Sequence, residues 1–315
     1  MFSGAAGTSV GARQAGASIV WAANHNRLCV DVHAANFPEA RNVCQDLHLF
    51  NHAAMDKHDL LLASPVCRAS SQASRPGRAT AAEQGPGSLL ASAHNAYRAL
   101  PWSVIDALEV NRPDSFVVEN VPDWREWVFY ADFLRMTRRL GYKVTEQVLD
   151  SAAWGVPQSR ERLFVIGTLG PKPIRVADPS GGRVASMGEF VDWDDGEWLP
   201  FAACHGDKMR AQLEQADREF GGGPAFVNLV SHRPVYSASQ PLRTATRQDQ
   251  YRWVRGGQFR YPSAREAFSL MGFPSDYVIP DAVAKTRTVA WAMAGDAVCP
   301  AVMRGIVAKV MEARE

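Results

Sequence analysis

Alternating strand-like and helix-like segments in the first half of the chain limit its fold more than any other feature. The apolar runs ASIVWAAN (17–24), HDLLLAS (58–64) and DSFVVENV (114–121) are typical of buried strands, while NRLCVDVHAANF (26–37) and WVFYADFLRMTRRLGY (127–142) have helical periodicity. Strands separated by helices predict an α/β fold with a doubly wound, mostly parallel sheet. In such a sheet, functional residues collect at the carboxyl ends of the strands.

The pattern changes after residue 168, where Pro, Gly, Asp and Trp become frequent. One polar helix is expected at 207–220, before three consecutive glycines, and helical patterns return later in the chain. We therefore predict a small, loop-rich second domain at 169–255, inserted into a larger domain that consists of 1–168 and 256–315.

Composition excludes several classes of protein. The 315 residues contain 34 Lys and Arg against 33 Asp and Glu, so any affinity for nucleic acid must come from local clusters of charge. No apolar run approaches the ~20 residues that span a bilayer, and no secretory signal pattern is present, which predicts a cytoplasmic protein without membrane contact. The five cysteines are widely spaced and form no CxxC pair, so we expect neither a metal site nor a disulfide framework.

A cysteine two residues after a proline opens a stretch of small, polar and basic residues, SPVCRASSQASRPGRAT (64–80). A thiol is a strong nucleophile as its thiolate, which nearby positive charge favours, and Arg68, Arg75 and Arg78 supply such charge. Cys67 is therefore a candidate nucleophile. A half-buried structural cysteine is the alternative interpretation.

Three further segments place polar groups next to predicted strands. The glycine-rich FSGAAGTSVGARQAG (2–16) either holds a nucleotide against a helix N-terminus or forms a tight turn. Glu119 directly follows a buried strand and is either a partly protonated carboxyl group or a helix-capping acid. Arg160 and Arg162 share one side of a strand at a spacing of two, where they either orient a carboxylate or form a solvated strand end.

The order of these segments is more specific than any one of them. Glycine-rich loop, Pro-x-Cys, Glu-Asn-Val and Gln-x-Arg-x-Arg follow one another in an order that resembles the DNA cytosine-5 methyltransferases. DLHLFN (46–51) is similar to the family's Gly-Asp-Ile segment, PSAREAFSLMGFPSDY (262–277) to its arginine-glutamate segment, and AGDAVCPAVMRGIVAKV (294–310) to its closing Gly-Asn-x-Val motif. The resemblance covers about 1–168 and 235–315.

The resemblance implies a Rossmann-like methyltransferase fold, S-adenosyl-L-methionine as the cofactor, and a target-recognition domain at 169–255. It implies methyl transfer to carbon 5 of a flipped-out cytosine in double-stranded DNA through a covalent cysteine adduct. The implied setting is bacterial or phage-like restriction-modification, with a nucleoid-associated enzyme that acts on DNA as a monomer.

Site residues follow from the same resemblance. Cys67 would attack carbon 6 of the base, Glu119 would hold or donate a proton at ring nitrogen 3, and Arg162, with Arg160 behind it, would fix Glu119 and the base oxygen. The implied cofactor-binding residues are Phe2, Gly4, Ala5, Gly7, Asn24, His25, Asp46, Leu47, Pro65, Asp296 and Val298. The DNA-binding residues that we expect are Arg68, Ser71, Arg75, Arg78, Arg233, Arg243, Arg247 and Arg252. The first four lie in a loop expected to close over the flipped base.

Several positions differ from the family's pattern. Val66 and Arg68 flank Cys67 where proline and glutamine are usual, and Asn24 stands where an acid usually meets the cofactor ribose. Asp296 replaces the closing asparagine and is expected to act as the N-cap of the last helix. The strand that usually precedes the glycine-rich loop is missing before Phe2, and an upstream start codon or a trimmed chain is the expected explanation.

Three other functions remain open at this stage. An RNA cytosine-5 methyltransferase would share every catalytic residue. A DNA-binding relative without catalysis is favoured by Asn24, Asp296 and the missing first strand. It is opposed by four intact residues, namely Cys67, Glu119, Arg160 and Arg162. A nicotinamide-dependent dehydrogenase rests on the glycine-rich loop alone and leaves the cysteine and the arginines without a role.

Overall fold

The structure is a computed structural model that describes residues 1–65, 99–179, 184–248 and 250–314. The chain divides into two compact units. The first unit consists of Met1–Leu149, Glu161–Ala177 and Met303–Glu315, and the second of Asp150–Arg160 and Asp178–Val302. This division assigns 256–302 to the second unit, whereas the sequence analysis groups these residues with the larger domain. The functional division of the chain stays a prediction.

Nine α-helices and thirteen β-strands lie in the described residues. The helices are α1 (Gly7–Gln14), α2 (Arg27–Asn36), α3 (Trp102–Asn111), α4 (Tyr130–Arg139), α5 (Asp207–Glu219), α6 (Ala264–Ser269), α7 (Asp281–Ala284), α8 (Arg287–Gly295) and α9 (Pro300–Glu312). The strands are β1 (Trp21–Asn24), β2 (Arg41–Cys44), β3 (Leu60–Ala63), β4 (Ser115–Asn120), β5 (Lys143–Asp150), β6 (Gln158–Ser159), β7 (Glu161–Thr168), β8 (Leu199–Pro200), β9 (Ala225–Asn228), β10 (Val235–Ser237), β11 (Leu242–Arg243), β12 (Tyr251–Arg255) and β13 (Gln258–Arg260). The predicted α/β class is confirmed.

Two sheets organise the first unit. β1 and β2 pair in parallel, with Asn24 opposite Cys44. The second sheet has the order β3-β4-β7-β5, in which β3 and β4 are parallel and β7 runs antiparallel to β4. All six residues of β4 are buried, as expected for a strand covered on both faces.

The first three residues connect the two sheets. The Met1 amino group donates to the Leu62 carbonyl at 2.6 Å, and the Ser64 N–H donates to the Met1 carbonyl at 3.4 Å. The Ser3 N–H donates to the Ala23 carbonyl at 3.1 Å. Burial lowers the pKa of the Met1 amino group to about 5. The beginning of the chain thus lies between β1 and β3, the sheet position for which the resemblance predicts a further strand.

The spacing of apolar residues explains how α4 packs. Tyr130, Phe133, Leu134 and Thr137 are its buried residues and recur at positions i, i+3, i+4 and i+7, which lie on one face of a helix. Gly141 follows the helix with a φ of +93°, a conformation that glycine adopts without strain. This face contributes to the main apolar core of the first unit.

The second unit contains more regular structure than the loop-rich pattern predicts. Its strands form an antiparallel sheet in the order β10-β9-β12-β13-β8, and Leu213 and Ala216 of α5 are buried in the same apolar cluster as residues of β9 and β12. Each strand has two to five residues. A period of two over so few residues is a weak signal, which is why the sequence analysis did not identify the sheet.

Two general properties of the described residues concern membrane spans and cysteines. Within the ranges that the structure describes, no helix is both long and apolar enough to cross a bilayer. Among the described cysteines, Cys29, Cys44, Cys204 and Cys299 form no disulfide bonds.

Candidate active site

Residues predicted to bind the cofactor lie at the carboxyl ends of β1, β2 and β3. Asn24 is the last residue of β1, Asp46 follows β2 by two residues, and Pro65 follows β3 by two residues. Because β1 and β2 are parallel, Asn24 and Asp46 lie at the same edge of their sheet. The residues between Met1 and Ser3 link this sheet to β3, so the glycine-rich loop begins at the junction of both sheets.

The glycine-rich loop has an unusual backbone. Phe2, Gly4 and Ala6 have φ values of +58°, +49° and +60°, in the left-handed region that favours glycine. A Cβ atom at Gly4 would have no heavy atom within 4 Å, so the loop borders open space. The helix α1 that follows has no side-chain cap and no acidic residue in its first turn. Its first N–H groups can therefore bind an anionic group of a ligand.

The polar residues after β1 and β2 are held in turns. The Oδ1 atom of Asn24 accepts from the Asn26 N–H at 2.9 Å, and the Oδ1 atom of Asp46 accepts from the His48 N–H at 3.0 Å. Asn24 is buried and Asp46 is exposed. The neighbouring His25 is exposed and Leu47 is buried. A ligand that lies across these turns would therefore meet one amide, one carboxylate and one apolar side chain.

Behind the glycine-rich loop is a hydrogen-bonded series that the sequence analysis did not identify. Ser9 of α1 bonds through Oγ to Nε2 of His33 in α2 at 2.9 Å, and His33 Nδ1 bonds to Oδ1 of Asn42 in β2 at 2.6 Å. His33 is fully buried, and burial is the main cause that lowers its pKa to about 4. The signal in the sequence is a histidine on the apolar face of a predicted helix.

Glu119 and Arg162 form a buried ion pair across two strands. β4 and β7 are antiparallel, and Glu119 is opposite Phe164, which brings the side chain at 162 to the end of β4. The Nε atom of Arg162 is 3.3 Å from Oε1 of Glu119, and the two side chains are 16% and 10% exposed. A carboxylate held this way has a fixed position and a nearby positive charge.

The loop that leads to Cys67 is tied to the same strand end. Nδ2 of Asn120 donates to the Pro65 carbonyl at 3.2 Å, and both residues are buried. Pro65 is therefore next to the residue that follows Glu119. Cys67 is two residues further along the chain and lies outside the described residues, as do Arg68, Ser71, Arg75 and Arg78.

Arg160 makes contacts other than those expected from the sequence. It precedes β7 instead of lying on it, and it belongs to the second unit. Its guanidinium donates to the carbonyls of Ala245 and Gly295, each at 2.8 Å, and to the carbonyl of Ala297 at 3.2 Å. With 3% exposure, Arg160 holds two distant segments of this unit together. Its catalytic role stays a prediction.

The expectation that Asp296 is the N-cap of the last helix is wrong. Asp296 instead follows the C-terminal end of α8, where its N–H donates to the Ala292 carbonyl at 3.1 Å, and α9 begins only at Pro300. The four residues 296–299 are not helical and separate α8 from α9, so Asp296 is too far from Pro300 to cap the last helix. The carboxylate of Asp296 pairs with Nη1 of Arg247 at 3.1 Å, and Val298 is buried.

The described arginines predicted to bind DNA all lie in the second unit. Arg233, Arg243 and Arg247 are exposed, and Arg252 is half-buried. The guanidinium of Arg243 is 5.6 Å from the ring centre of Tyr236. These positions allow contact with a polyanion, and their role in DNA binding stays a prediction.

An α/β sheet with a glycine-rich loop and a buried carboxylate–arginine pair at its carboxyl edge has the parts of a methyltransferase. Residues 1–188 match the family described as C-5 cytosine-specific DNA methylase. The matched stretch is more than half of the chain, so the protein belongs to this family and is an enzyme of the DNA (cytosine-5) methyltransferase class.

Individual relatives agree with the family. The chain is 27% identical over 339 residues to the type II methyltransferase M1.HphI of Haemophilus parahaemolyticus. This alignment covers 99% of the present chain and 86% of M1.HphI. It is 26% identical over 331 residues to the type II methyltransferase M.NlaX of Neisseria lactamica, with 99% and 95% covered. The crystal structure of the S. pombe Dnmt2 methyltransferase is 18% identical and superimposes with a TM-score of 0.66 over 99% of this chain and 97% of that chain. At this identity, the structural match shows a common fold.

Proposed function

We propose that the protein transfers a methyl group from S-adenosyl-L-methionine to carbon 5 of a cytosine flipped out of double-stranded DNA, with Cys67 as the covalent nucleophile. The Glu119–Arg162 ion pair carries this proposal, because the reaction needs an acid fixed beside the base. The bond from Asn120 to Pro65 supports it, since this bond joins the end of β4 to the segment that leads to Cys67.

The residues at the carboxyl edge fit the proposed cofactor. The cofactor supplies an electrophilic methyl group bound to a sulfonium sulfur. The first N–H groups of α1 would bind its carboxylate, and the open space at Gly4 leaves room for close approach. Asn24 would donate to or accept from a ribose hydroxyl, and the exposed carboxylate of Asp46 would accept from the adenine amino group. Phe2, Ala5, Gly7, His25, Leu47, Pro65, Asp296 and Val298 are the remaining proposed contacts.

The chain's own residues activate the base. Carbon 5 of cytosine is a weak nucleophile, and addition of the Cys67 thiolate at carbon 6 turns the ring into an enamine that is nucleophilic at carbon 5. Glu119 holds a proton at ring nitrogen 3, so negative charge does not build up there, and Arg162 fixes the carboxyl group. After methyl transfer, a base removes the proton on carbon 5, and the bond between Cys67 and carbon 6 breaks to release the product.

The base must first leave the DNA stack, which costs a few kcal/mol. Contacts between arginines and phosphates offset this cost, and Arg68, Arg75, Arg78, Arg233, Arg243 and Arg247 are the proposed contacts. M1.HphI and M.NlaX are named type II methyltransferases. By analogy with these relatives, we propose that the protein modifies one short recognition sequence as part of a restriction-modification system.

Trapping with 5-fluorocytosine tests the proposal. Bisulfite sequencing of DNA from cells that express the protein first identifies the methylated sequence. A duplex with 5-fluorocytosine at that position cannot lose fluorine as a cation, so the enzyme should transfer one methyl group and stay attached. We expect a complex that survives denaturing electrophoresis, requires S-adenosyl-L-methionine, and is absent with Cys67→Ser.

The other cysteines provide matched controls. Cys29→Ser, Cys44→Ser, Cys204→Ser and Cys299→Ser should each leave trapping intact. The assignment of Cys67 as the nucleophile would be wrong if Cys67→Ser still formed the covalent complex. It would also be wrong if the wild-type protein methylated normal DNA but never formed that complex. Methyl transfer to transfer RNA but not to DNA would show that the substrate is wrong.

A further inference from the structure

Two arginines in the second unit share one aromatic ring. The guanidinium carbon of Arg252 is 3.9 Å from the ring centre of Tyr261, and that of Arg287 is 3.6 Å from the same centre. Two guanidiniums fit at these distances only if they lie on opposite faces of the ring. Tyr261 therefore separates two positive charges in one stack, which we name the arginine–tyrosine stack.

The described residues do not neutralise the charge of this stack. Neither Arg252 nor Arg287 forms an ion pair within the part of the chain that the structure describes, whereas Arg247 and Arg260 each pair with a carboxylate. Nη1 of Arg252 donates to a backbone carbonyl, and its buried Nε atom has no hydrogen-bond partner among the described residues. The stack thus keeps donors and charge that a ligand can use.

The surroundings add further positive charge. The guanidinium of Arg210 donates to the Cys204 carbonyl at 3.2 Å, and its nearest ion-pair partner, the fully exposed Asp207, is 3.9 Å away. Burial is the largest cause that lowers the pKa of Arg252; Tyr261 raises this pKa, and the charge of Arg287 lowers it further. Arg287 also begins α8, and the first turn of this helix has no acidic residue to balance the partial positive charge of its N-terminus. An anion bound here would relieve the repulsion.

We propose that the Arg252–Tyr261–Arg287 stack binds a backbone phosphate of the DNA substrate. Stacking orders the planar guanidiniums, whose N–H groups match the geometry of phosphate oxygens. Both faces of Tyr261 are occupied, so the ring cannot stack on a base, and the contact is with the backbone. The sequence analysis predicted Arg252 as a DNA contact, and the structure adds Tyr261 and Arg287. This inference rests on the proposed function, since it takes DNA as the substrate.

The salt dependence of DNA binding tests the inference. Arg287→Gln removes an exposed charge from the stack, and Lys285→Gln removes an equal charge two residues away, where Lys285 pairs with Asp281 at 2.6 Å. The dissociation constant of a short DNA duplex is measured by fluorescence anisotropy over a range of salt concentrations. For Arg287→Gln we expect the slope of log K against log salt to fall by about 0.9, with affinity reduced on the order of tenfold at 0.1 M salt. Lys285→Gln should keep the wild-type slope.

The same loss is expected on duplexes with and without the methylated sequence, because a phosphate contact carries no base information. Arg252→Gln is the second variant, and it should reproduce the change of slope while thermal melting confirms that the protein is folded. An unchanged slope in both folded variants, or an equal change in Lys285→Gln, would overturn the inference. So would a change of slope that is seen with duplex RNA and not with DNA.

Methyl transfer separates this inference from the proposed function. If the wild-type protein methylates DNA but both folded variants keep its slope, the phosphate site is wrong and the proposed function stands. If the wild-type protein binds the duplex but transfers no methyl group to it, the proposed function fails, and the change of slope still reports on the stack.

Discussion

At the scale of single residues, the ion pair between Glu119 and Arg162 links the stability of the fold to the proposed chemistry. Both side chains are mostly buried, so removing one partner leaves the other charge without compensation. Variants of either residue are therefore expected to change stability and activity together. A double-mutant cycle of the two residues is needed to separate the two effects.

We expect Arg162→Gln to lower the free energy of unfolding by about 3 kcal/mol, because Glu119 is left buried without a cation. The double variant Glu119→Gln/Arg162→Gln should recover part of this loss, since it removes both charges. Neither variant should transfer methyl groups at a measurable rate. Urea unfolding measures the stabilities.

Arg135→Gln is the matched control. Arg135 pairs with Asp132 on the exposed side of α4, and its loss should change stability by less than about 1 kcal/mol. Equal stability of wild type and Arg162→Gln would contradict a buried, coupled pair.

At the scale of secondary-structure elements, the series Ser9–His33–Asn42 ties α1, α2 and β2 together below the glycine-rich loop. Nδ1 of His33 faces the amide oxygen of Asn42 and therefore donates to it, which leaves Nε2 of the neutral, fully buried ring to accept from the Ser9 hydroxyl. Protonation would place an unpaired charge between three elements. Protonation of His33 is therefore expected to destabilise the contacts between α1, α2 and β2.

Stability should decrease below pH 6.5 because of His33. In the folded protein, burial lowers the pKa of His33 to about 4 from its ordinary value of 6.5. As the pH falls, His33 therefore binds a proton in the unfolded chain before it does so in the folded protein. The stabilisation is complete above pH 6.5 and is lost as the pH falls towards 4. At pH 5 the loss from this residue is about 2 kcal/mol relative to pH 7.

The measurement compares urea unfolding of wild type and His33→Gln between pH 7 and pH 5. The glutamine variant lacks the titrating ring and should show a smaller decrease, while carboxylates titrate in both proteins. Parallel curves for the two proteins would refute a buried neutral histidine.

The same scale shows where the sequence was informative. α2 and α4 have long periodic patterns, and β4 is a continuous apolar run, so these elements were predicted together with Glu119 at a strand end. The sheet of the second unit could not be predicted in this way, because strands as short as β8 and β10 have almost no periodicity of their own. Arg160 and Asp296 were misjudged in their contacts because these depend on segments more than 40 residues away in the chain.

At the scale of the whole molecule, Arg160 connects parts of the second unit that are far apart in sequence. Its guanidinium donates to carbonyls at 245, 295 and 297, while Gln158 next to it accepts from the Ala245 N–H at 2.9 Å and donates to the Leu270 carbonyl at 3.3 Å. These bonds are internal to the second unit. They give Arg160 a structural role that a purely catalytic arginine would not have.

We expect Arg160→Met to lower the free energy of unfolding by roughly 3 kcal/mol, because three buried carbonyls lose their donor and methionine cannot replace it. Differential scanning calorimetry measures the shift in melting temperature. Arg243→Met, at an exposed position of the same unit, is the control and should melt like wild type. A folded, fully stable Arg160→Met protein without activity would instead assign the residue to catalysis alone.

The division of the chain into units has a consequence for the exchange of segments between related genes. The second unit is made of Asp150–Arg160 and Asp178–Val302, and the chain returns to the first unit between these stretches. β6 pairs with β11, and Arg160 reaches Gly295, so the short stretch and the long one fit each other. Recombination could import only the long stretch from another gene. The imported stretch would then have to pack against the original Gln158 and Arg160, with which it did not evolve. Exchange of the long stretch alone is therefore expected to weaken the second unit, whereas point substitutions within 178–302 leave these contacts in place.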